Sequence, residues 1–262
     1  MNSFLKSTLS IASLCLLASC GSSDSGPSNT EAGFTQNETI QADGSNINGA
    51  YVAEMYPLNY NLHFKQVGKA ALVRDGDSFK AMVGLKYGPK NVEHAQAVYT
   101  GRRCPNVNDD LNKDAYIDMR EAMIAIGQIS IPLDGSLDSQ TGGSGQYPTG
   151  DATKGMYYYE QSASFERMFA DLKAPDTDPT DNIIKLGEND GLTFPGRVVL
   201  IQGVHKDLKL PATVMGLEGD SSVHESLPIA CGILWKVPEL PTDIAPGTET
   251  TNTVPTRTRT RN

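Results

Sequence analysis

The chain has 262 residues, a formal net charge of −9 and 39% hydrophobic residues. An acidic balance of this size repels nucleic acid and anionic surfaces over most of its area, so nucleic acid is set aside as a partner. Residues 49–237 lie between two polar ends, are enough for one sizeable core, and show no internal repeat.

In chain order, residues 1–19 read as a signal peptide: Lys6 gives a charged start, and Leu9 to Leu17 is apolar but too short to span a bilayer. Leu17-Ala18-Ser19-Cys20 resembles a bacterial lipobox, in which Cys20 becomes the lipidated first residue of the mature chain. An ordinary cleaved signal peptide is the alternative. Acyl chains at one terminus anchor a protein to a membrane without spanning it. Gly21 after Cys20, where an Asp would favour the inner membrane, points to the outer membrane of a bacterial cell envelope. Removing the first nineteen residues, which hold one lysine and no acid, takes the net charge from −9 to −10. Residues 20–48 are mostly Gly, Ser, Asn, Asp, Thr and Gln and read as a flexible tether.

The globular stretch reads as mainly β. Phe79, Ala81, Val83, Leu85 and Tyr87 alternate with Lys80, Met82, Gly84 and Lys86, the period of a half-buried strand. Asp75-Gly76-Asp77 is a hairpin turn leading back to a strand at Lys69–Val73. Further strands are expected at Ile126–Leu133, Met156–Glu160, Arg197–Ile201 and Ile229–Trp235. Tyr157-Tyr158-Tyr159 places rings on both faces of its strand, one face for the core and one for edge cover; a sugar- or partner-binding patch is the functional alternative. Ser164 is placed to cap a short helix to Leu172, with Phe165, Met168, Phe169 and Leu172 on one face.

The chemistry of the chain is concentrated in Asp110-Leu-Asn-Lys-Asp-Ala-Tyr-Ile-Asp-Met-Arg-Glu121, twelve residues that resemble the EF-hand loop. Oxygen-bearing side chains stand at positions 1, 3, 5 and 9, namely Asp110, Asn112, Asp114 and Asp118. Position 7 offers the carbonyl of Tyr116, and Glu121 at position 12 can close the shell with both oxygens. Ca²⁺ is a hard ion that takes six to eight oxygens, and this spacing wraps a chain around one. Ile117 at position 8 is apolar, as a loop pinned to a core requires. Position 6 is Ala115 where the turn favours Gly, at a cost of about 1 kcal/mol. Gly101 and Pro105 upstream exclude an entering helix, while Met119–Ile126 can form a short exit helix. The expectation is therefore a lone calcium loop; a solvated acidic turn without an ion is the plainer alternative. Asp176-Thr-Asp-Pro-Thr-Asp181 reads as such a turn, Gly142–Gly145 as a flexible loop, and no serine sits in a nucleophile elbow. Residues 238–262 read as a disordered tail, whose Arg257, Arg259 and Arg261 offer contacts to anionic lipid or polysaccharide.

Of the four cysteines, Cys15 falls in the signal and Cys20 at the lipid position. Cys104 and Cys231 remain, and in an exported protein a disulfide is expected. A two-cysteine metal site is the alternative, and it lacks partner ligands nearby. The four histidines, His63, His94, His205 and His224, are scattered without metal-ligand spacing; His205 and His224 flank one loop and can meet in space.

Two stretches resemble Cu/Zn superoxide dismutases. Ile183-Ile-Lys-Leu-Gly-Glu-Asn-Asp-Gly-Leu-Thr-Phe-Pro-Gly-Arg-Val-Val-Leu-Ile201 is similar to the approach to a late strand of that family, and Leu227-Pro-Ile-Ala-Cys-Gly-Ile233 to its closing strand. The resemblance covers roughly residues 50 to 237 and implies a Greek-key β-barrel or flattened sandwich held by a Cys104–Cys231 bridge, here with a long loop insertion carrying the calcium site. It does not carry the metals. In the matching stretch His94 survives at a structural position, while the copper-ligand positions fall on Ala97, Tyr99 and Gln202 and the guiding arginine on Pro228. No histidine lies between Cys104 and Gly203, where zinc ligands would stand. The expected function is a lipid-anchored, calcium-binding envelope protein with a binding or structural role rather than a catalytic one, its protein or polysaccharide partner and its oligomeric state left open. The rival is a divergent metal-dependent oxidoreductase acting on superoxide through His94, His205 or His224.

Overall fold

A central strand with a different neighbour at each end organises the sheet. The computed structural model describes residues 47–62, 67–138, 146–175, 183–188, 190–216 and 222–245. The lipobox with Cys20, His63, the 142–145 loop, the 176–181 cluster and the arginine tail lie outside the described residues. The strands are β1 (Gly49–Pro57), β2 (Val67–Asp75), β3 (Ser78–Lys86), β4 (Gln96–Tyr99), β5 (Ile129–Pro132), β6 (Tyr157–Ser164), β7 (Val198–Gln202), β8 (Pro228–Ile233) and β9 (Trp235–Val237). Three short helices accompany them: α1 (Met119–Ile126), α2 (Phe165–Lys173) and α3 (Val223–Ser226). The chain is thus mainly β. Its sheet runs β5-β4-β7-β8-β1-β2-β3-β6, antiparallel throughout, with β9 also against β1.

The expected hairpin is present. Gly76 turns it at φ +59°, and Phe79, Ala81, Val83 and Leu85 of β3 are fully buried on one face. The sheet curls into a half-barrel, so that residues from both ends share one core: Val98, Ile131, Val199, Ile201 and Ile229 pack with Tyr51, Met55, Leu72 and the β3 row. Two tyrosines of β6 reach across the curl. Tyr157 donates to Gln96 Oε1 at 2.9 Å, and Tyr159 donates to the Asp134 carbonyl at 2.8 Å. Tyr158 between them faces out. Helix α2 begins where its capping signal predicts: Ser164 Oγ accepts from the Arg167 N–H at 3.2 Å, and Phe165, Met168, Phe169 and Leu172 are its buried face.

Strands β4 and β7 are buried on both faces. Their outward residues Ala97, Tyr99, Val198 and Leu200 form a second cluster with Ile117 and with Met119, Ala122, Ala125 and Ile126 of α1. The loop and helix after Cys104 therefore act as a lid over the outside of the sheet. Cys104 is bonded to Cys231 of β8, closing a separation of 127 residues. In the chain-entropy view such a closure stabilises by up to about 5 kcal/mol.

Boundaries differ from the sequence reading in several places: β2 runs to Asp75 and β6 to Ser164, and Tyr87, expected in the β3 row, lies past the strand's end, exposed, at φ +61°. Ile126 ends α1, Gly127 turns the chain at φ +70°, and the strand expected from Ile126 starts at Ile129. The run Ile229–Trp235 is two strands, because Leu234 leaves the ladder to exchange backbone hydrogen bonds with Gly196 and Arg197. Ile47, inside the expected tether, is fully buried in the main core. Ile244, inside the expected tail, packs with Val52, Ala71 and Met82, while Asp243 pairs with Lys69 at 2.9 Å. The outer face of β1–β3 is apolar there and needs that cover.

Gly232 shows why the Ala-Cys-Gly of β8 tolerates no bulk: a Cβ there would sit 2.4 Å from the Glu54 carbonyl oxygen and 2.8 Å from Met55 Sδ. Backbone cannot yield as a side-chain tip can. Gly232→Ala is expected to destabilise by about 1–3 kcal/mol, the usual range for overpacking, read as a lower urea midpoint with unchanged m-value.

Candidate functional site

The loop 110–121 is built by side chains folding onto their own backbone. Asp110 accepts from the N–H groups of Asp114 (3.2 Å) and Ala115 (2.9 Å). Asn112 Oδ1 accepts from Asp114 (2.9 Å), and Asp114 Oδ1 from Tyr116 (2.9 Å). Such short-range turns are what Asp and Asn do well. They require left-handed backbone at Lys113 (φ +59°) and at Ala115 (φ +70°). The strain expected at position 6 is therefore present.

Asp118 and Glu121 form a reciprocal cap on α1. Asp118 Oδ1 accepts from the Glu121 N–H at 3.1 Å, and Glu121 Oε2 accepts from the Asp118 N–H at 3.2 Å. Glu121 Oε1 meanwhile accepts from Leu111 at 2.8 Å and Asn112 at 3.2 Å, so one carboxylate ties the start of the loop to its end. Asp118 and Glu121 are buried, whereas Asp110 and Asp114 are half-buried and Asn112 exposed.

Neighbouring segments clamp the loop from both sides. Asn59, itself buried with φ +61°, donates to the Ile117 carbonyl (2.9 Å) and accepts from the Ile117 N–H (2.6 Å), pairing with it as a strand would; its amide also donates to the Pro228 carbonyl at 2.9 Å. Asn61 donates to the Ala115 carbonyl at 2.7 Å. On the other side Thr213 Oγ1 donates to Asp114 Oδ2 (2.7 Å) and the Met215 N–H to Asp118 Oδ2 (2.7 Å). Asp109, one residue before the loop, is held by Arg103 at 2.6 and 2.7 Å, which keeps its carboxyl below the usual carboxylate range. The sequence reading names the six loop residues but neither clamp. Asn59 and Thr213 lie 58 and 99 residues from the atoms they hold, and carry no local signal.

Among the described residues no three His, Cys, Asp or Glu side chains converge on one metal position, because the loop carboxylates are turned onto N–H and O–H groups. The donor set is nevertheless one of hard oxygens throughout: four carboxylates (Asp110, Asp114, Asp118, Glu121), the Asn112 amide and the Tyr116 carbonyl. That chemistry fits Ca²⁺ and suits neither copper nor zinc.

Of the three positions that the resemblance assigns to copper, Tyr99 and Gln202 meet in a neutral network and Ala97 has no polar side chain. Gln202 Nε2 donates to Tyr99 Oη at 3.0 Å and lies 3.2 Å from Met119 Sδ. Burial pushes the Tyr99 hydroxyl far above its ordinary range. His94 is fully buried, stacked on Tyr157, and donates from Nδ1 to the Gln202 carbonyl at 2.9 Å. His224 bonds the Leu208 carbonyl at 2.8 Å, and His205 lies 3.4 Å from Asp207, so these two have separate partners. A groove of about 540 Å³, lined by Tyr56, Leu58, Tyr60, Val107, Ile117 and the Cys104–Cys231 bridge, runs beside the loop. A comparison with protein-family models finds no match, and none of the curated proteins matches the chain significantly.

Two consequences are measurable. Ala115→Gly removes the left-handed strain and is expected to raise stability by about 1 kcal/mol in urea denaturation. Burial lowers the His94 pKa from its ordinary 6.5. The unfolded chain then binds a proton that the folded chain refuses, so stability falls as pH drops below about 6.5 and levels off beneath the folded pKa, with a slope of at most about 1.4 kcal/mol per pH unit. Urea midpoints between pH 5 and 7.5 should show this slope in the parent and lose it in His94→Gln.

Proposed function

We propose that this chain is a calcium-binding, membrane-anchored envelope lipoprotein with a non-catalytic domain of the superoxide dismutase type, its role one of binding or structural support. The observation that carries the proposal is the 110–121 loop. Its residues have the ligand spacing of a calcium loop, and one carboxylate, Glu121, ties the loop's start at Leu111 to its end at Asp118. Asp110, Asn112, Asp114, Tyr116, Asp118 and Glu121 would hold the ion. When bound, Ca²⁺ supplies charge neutralisation among four carboxylates and rigidity, not redox chemistry. The braced element is α1, which covers β4 and β7.

A Greek-key reading is supported by the strand order, since the connections β3–β4 and β6–β7 both cross between the two ends of the sheet. The meeting of Tyr99 with Gln202 favours the alignment that placed both at vacated ligand positions. The anchor rests on the sequence around Cys20. A metal-free reading is favoured by the Asp118–Glu121 cap, which satisfies these acids without an ion, and by the absence of three converging metal-ligating side chains among the described residues.

With a Kd of about 10⁻⁴ to 10⁻³ M, the range of extracellular modules, roughly 10 mM CaCl₂ should stabilise the protein by about 1.4–2.7 kcal/mol. Glu121→Gln, which keeps an acceptor for the cap but removes the charge, should abolish that gain. Equal melting curves in CaCl₂ and EDTA would establish the metal-free reading; stoichiometric copper with dismutase activity would establish the oxidoreductase.

A further inference from the structure

We infer that the groove beside the loop is a binding site for a small organic cation with an apolar body; nothing in this inference requires a metal ion in the loop. Of the nine large apolar side chains exposed among the described residues, three line this groove: Tyr56 at 65%, Tyr60 at 78% and Val107 at 79%. Apolar side chains exposed singly are ordinary, whereas several in one place mark an interaction surface. The groove's volume of about 540 Å³ lies within the roughly 300–1,000 Å³ of small-molecule sites. Its walls are fixed before any ligand arrives. Tyr60 opens a single turn closed by the Leu62 N–H on the Asn59 carbonyl at 2.9 Å, with Leu62 buried. Asn61 ties that turn to the Ala115 carbonyl at 2.7 Å. Val107 follows Asn106, whose side chain caps the 107–109 turn by accepting from the Asn108 N–H at 3.0 Å. A site ordered in advance spares the ligand that cost.

Charge selects the ligand. Residues 56–62 carry none, the loop 110–121 holds four acids against two bases, and Arg103 and Asp109 cancel each other. Among the residues that line the groove, Asp110 alone is charged. The field at the groove is therefore negative: it repels an anion, leaves a neutral ligand indifferent and favours a cation. The exposed rings of Tyr56 and Tyr60 act in the same sense, because a cation within about 6 Å of a tyrosine ring centre is drawn to its negative face. The apolar body of the ligand then packs against Pro105, Val107 and the Cys104–Cys231 bridge, which line the same groove. One charge, two rings and an apolar wall thus describe a compact amphiphile with a positive head.

The test uses the full chain in EDTA, so that its outcome is independent of calcium. The probes are octyltrimethylammonium, octyl glucoside and octyl sulfate, each below its micelle concentration; they share an alkyl chain and differ in the charge of the head. Amide chemical-shift titration should place the ammonium probe at Leu58, Tyr60 and Val107, with a Kd about tenfold below that of the sulfate. Added salt should narrow that gap. Tyr60→Leu, at an exposed position, keeps an apolar side chain without the ring; it should weaken the ammonium probe about threefold and leave the glucoside unchanged, while Tyr60→Phe keeps the parent affinity. Equal affinity for the three heads, tighter binding of the glucoside or the sulfate, shifts confined to another surface, or no binding of the ammonium probe overturns the inference.

Discussion

The two hydrogen bonds between the Asn59 amide and the backbone of Ile117 hold the molecule's two layers together. Ile117 sits at the boundary between an acidic, partly wet loop and an apolar cluster on the outside of β4 and β7. Its N–H and C=O are buried where neither a helix nor a strand of its own can satisfy them, and each unpaired group would cost about 1–3 kcal/mol. Asn59 satisfies both, and its third bond, to Pro228, ties the arrangement to the start of β8. With Ile117 seated, α1 follows within two residues, and Met119, Ala122 and Ile126 close over the sheet. The Cys104–Cys231 bridge fixes the other end of the same lid.

The charge of the loop is managed on the same principle. Asp118 and Glu121 stand at the N-terminus of α1, where free N–H groups favour negative charge, and both take those donors. Asp110 and Asp114 are further from the helix: Asp110 accepts from the N–H groups of Asp114 and Ala115, and Asp114 from the Tyr116 N–H and the Thr213 hydroxyl. The acids are thus each satisfied singly by protein donors. A divalent cation would add a shared partner to groups that already have private ones.

The readable parts of the fold are those whose cause is local. Alternation along β3, the glycine of its turn, the Ser164 cap and the four-residue apolar face of α2 all act over a few residues. Strand β4 escaped the periodicity argument because it is buried on both faces: Gln96, Ala97, Val98 and Tyr99 show no alternation to detect. Strand β1 was missed for a related reason, since Val52 is covered by Ile244 on the side that should face water. The spacing of oxygen-bearing side chains along the loop is visible as a pattern. Asn59 and Thr213 are not, because a side-chain amide or hydroxyl acting on backbone or carboxylate far along the chain leaves no spacing to find.

Strand β1 also gives the domain a direction. Its first residues pair with Trp235–Val237, so the chain enters and begins to leave the sheet at one pole. Its last residues, Tyr56 and Pro57, lead straight into Asn59 and the acidic loop at the other. A strand of nine residues puts roughly 25 Å between them. The acidic loop and its neighbouring groove therefore lie at the opposite end of β1 from the point where that strand pairs with β9.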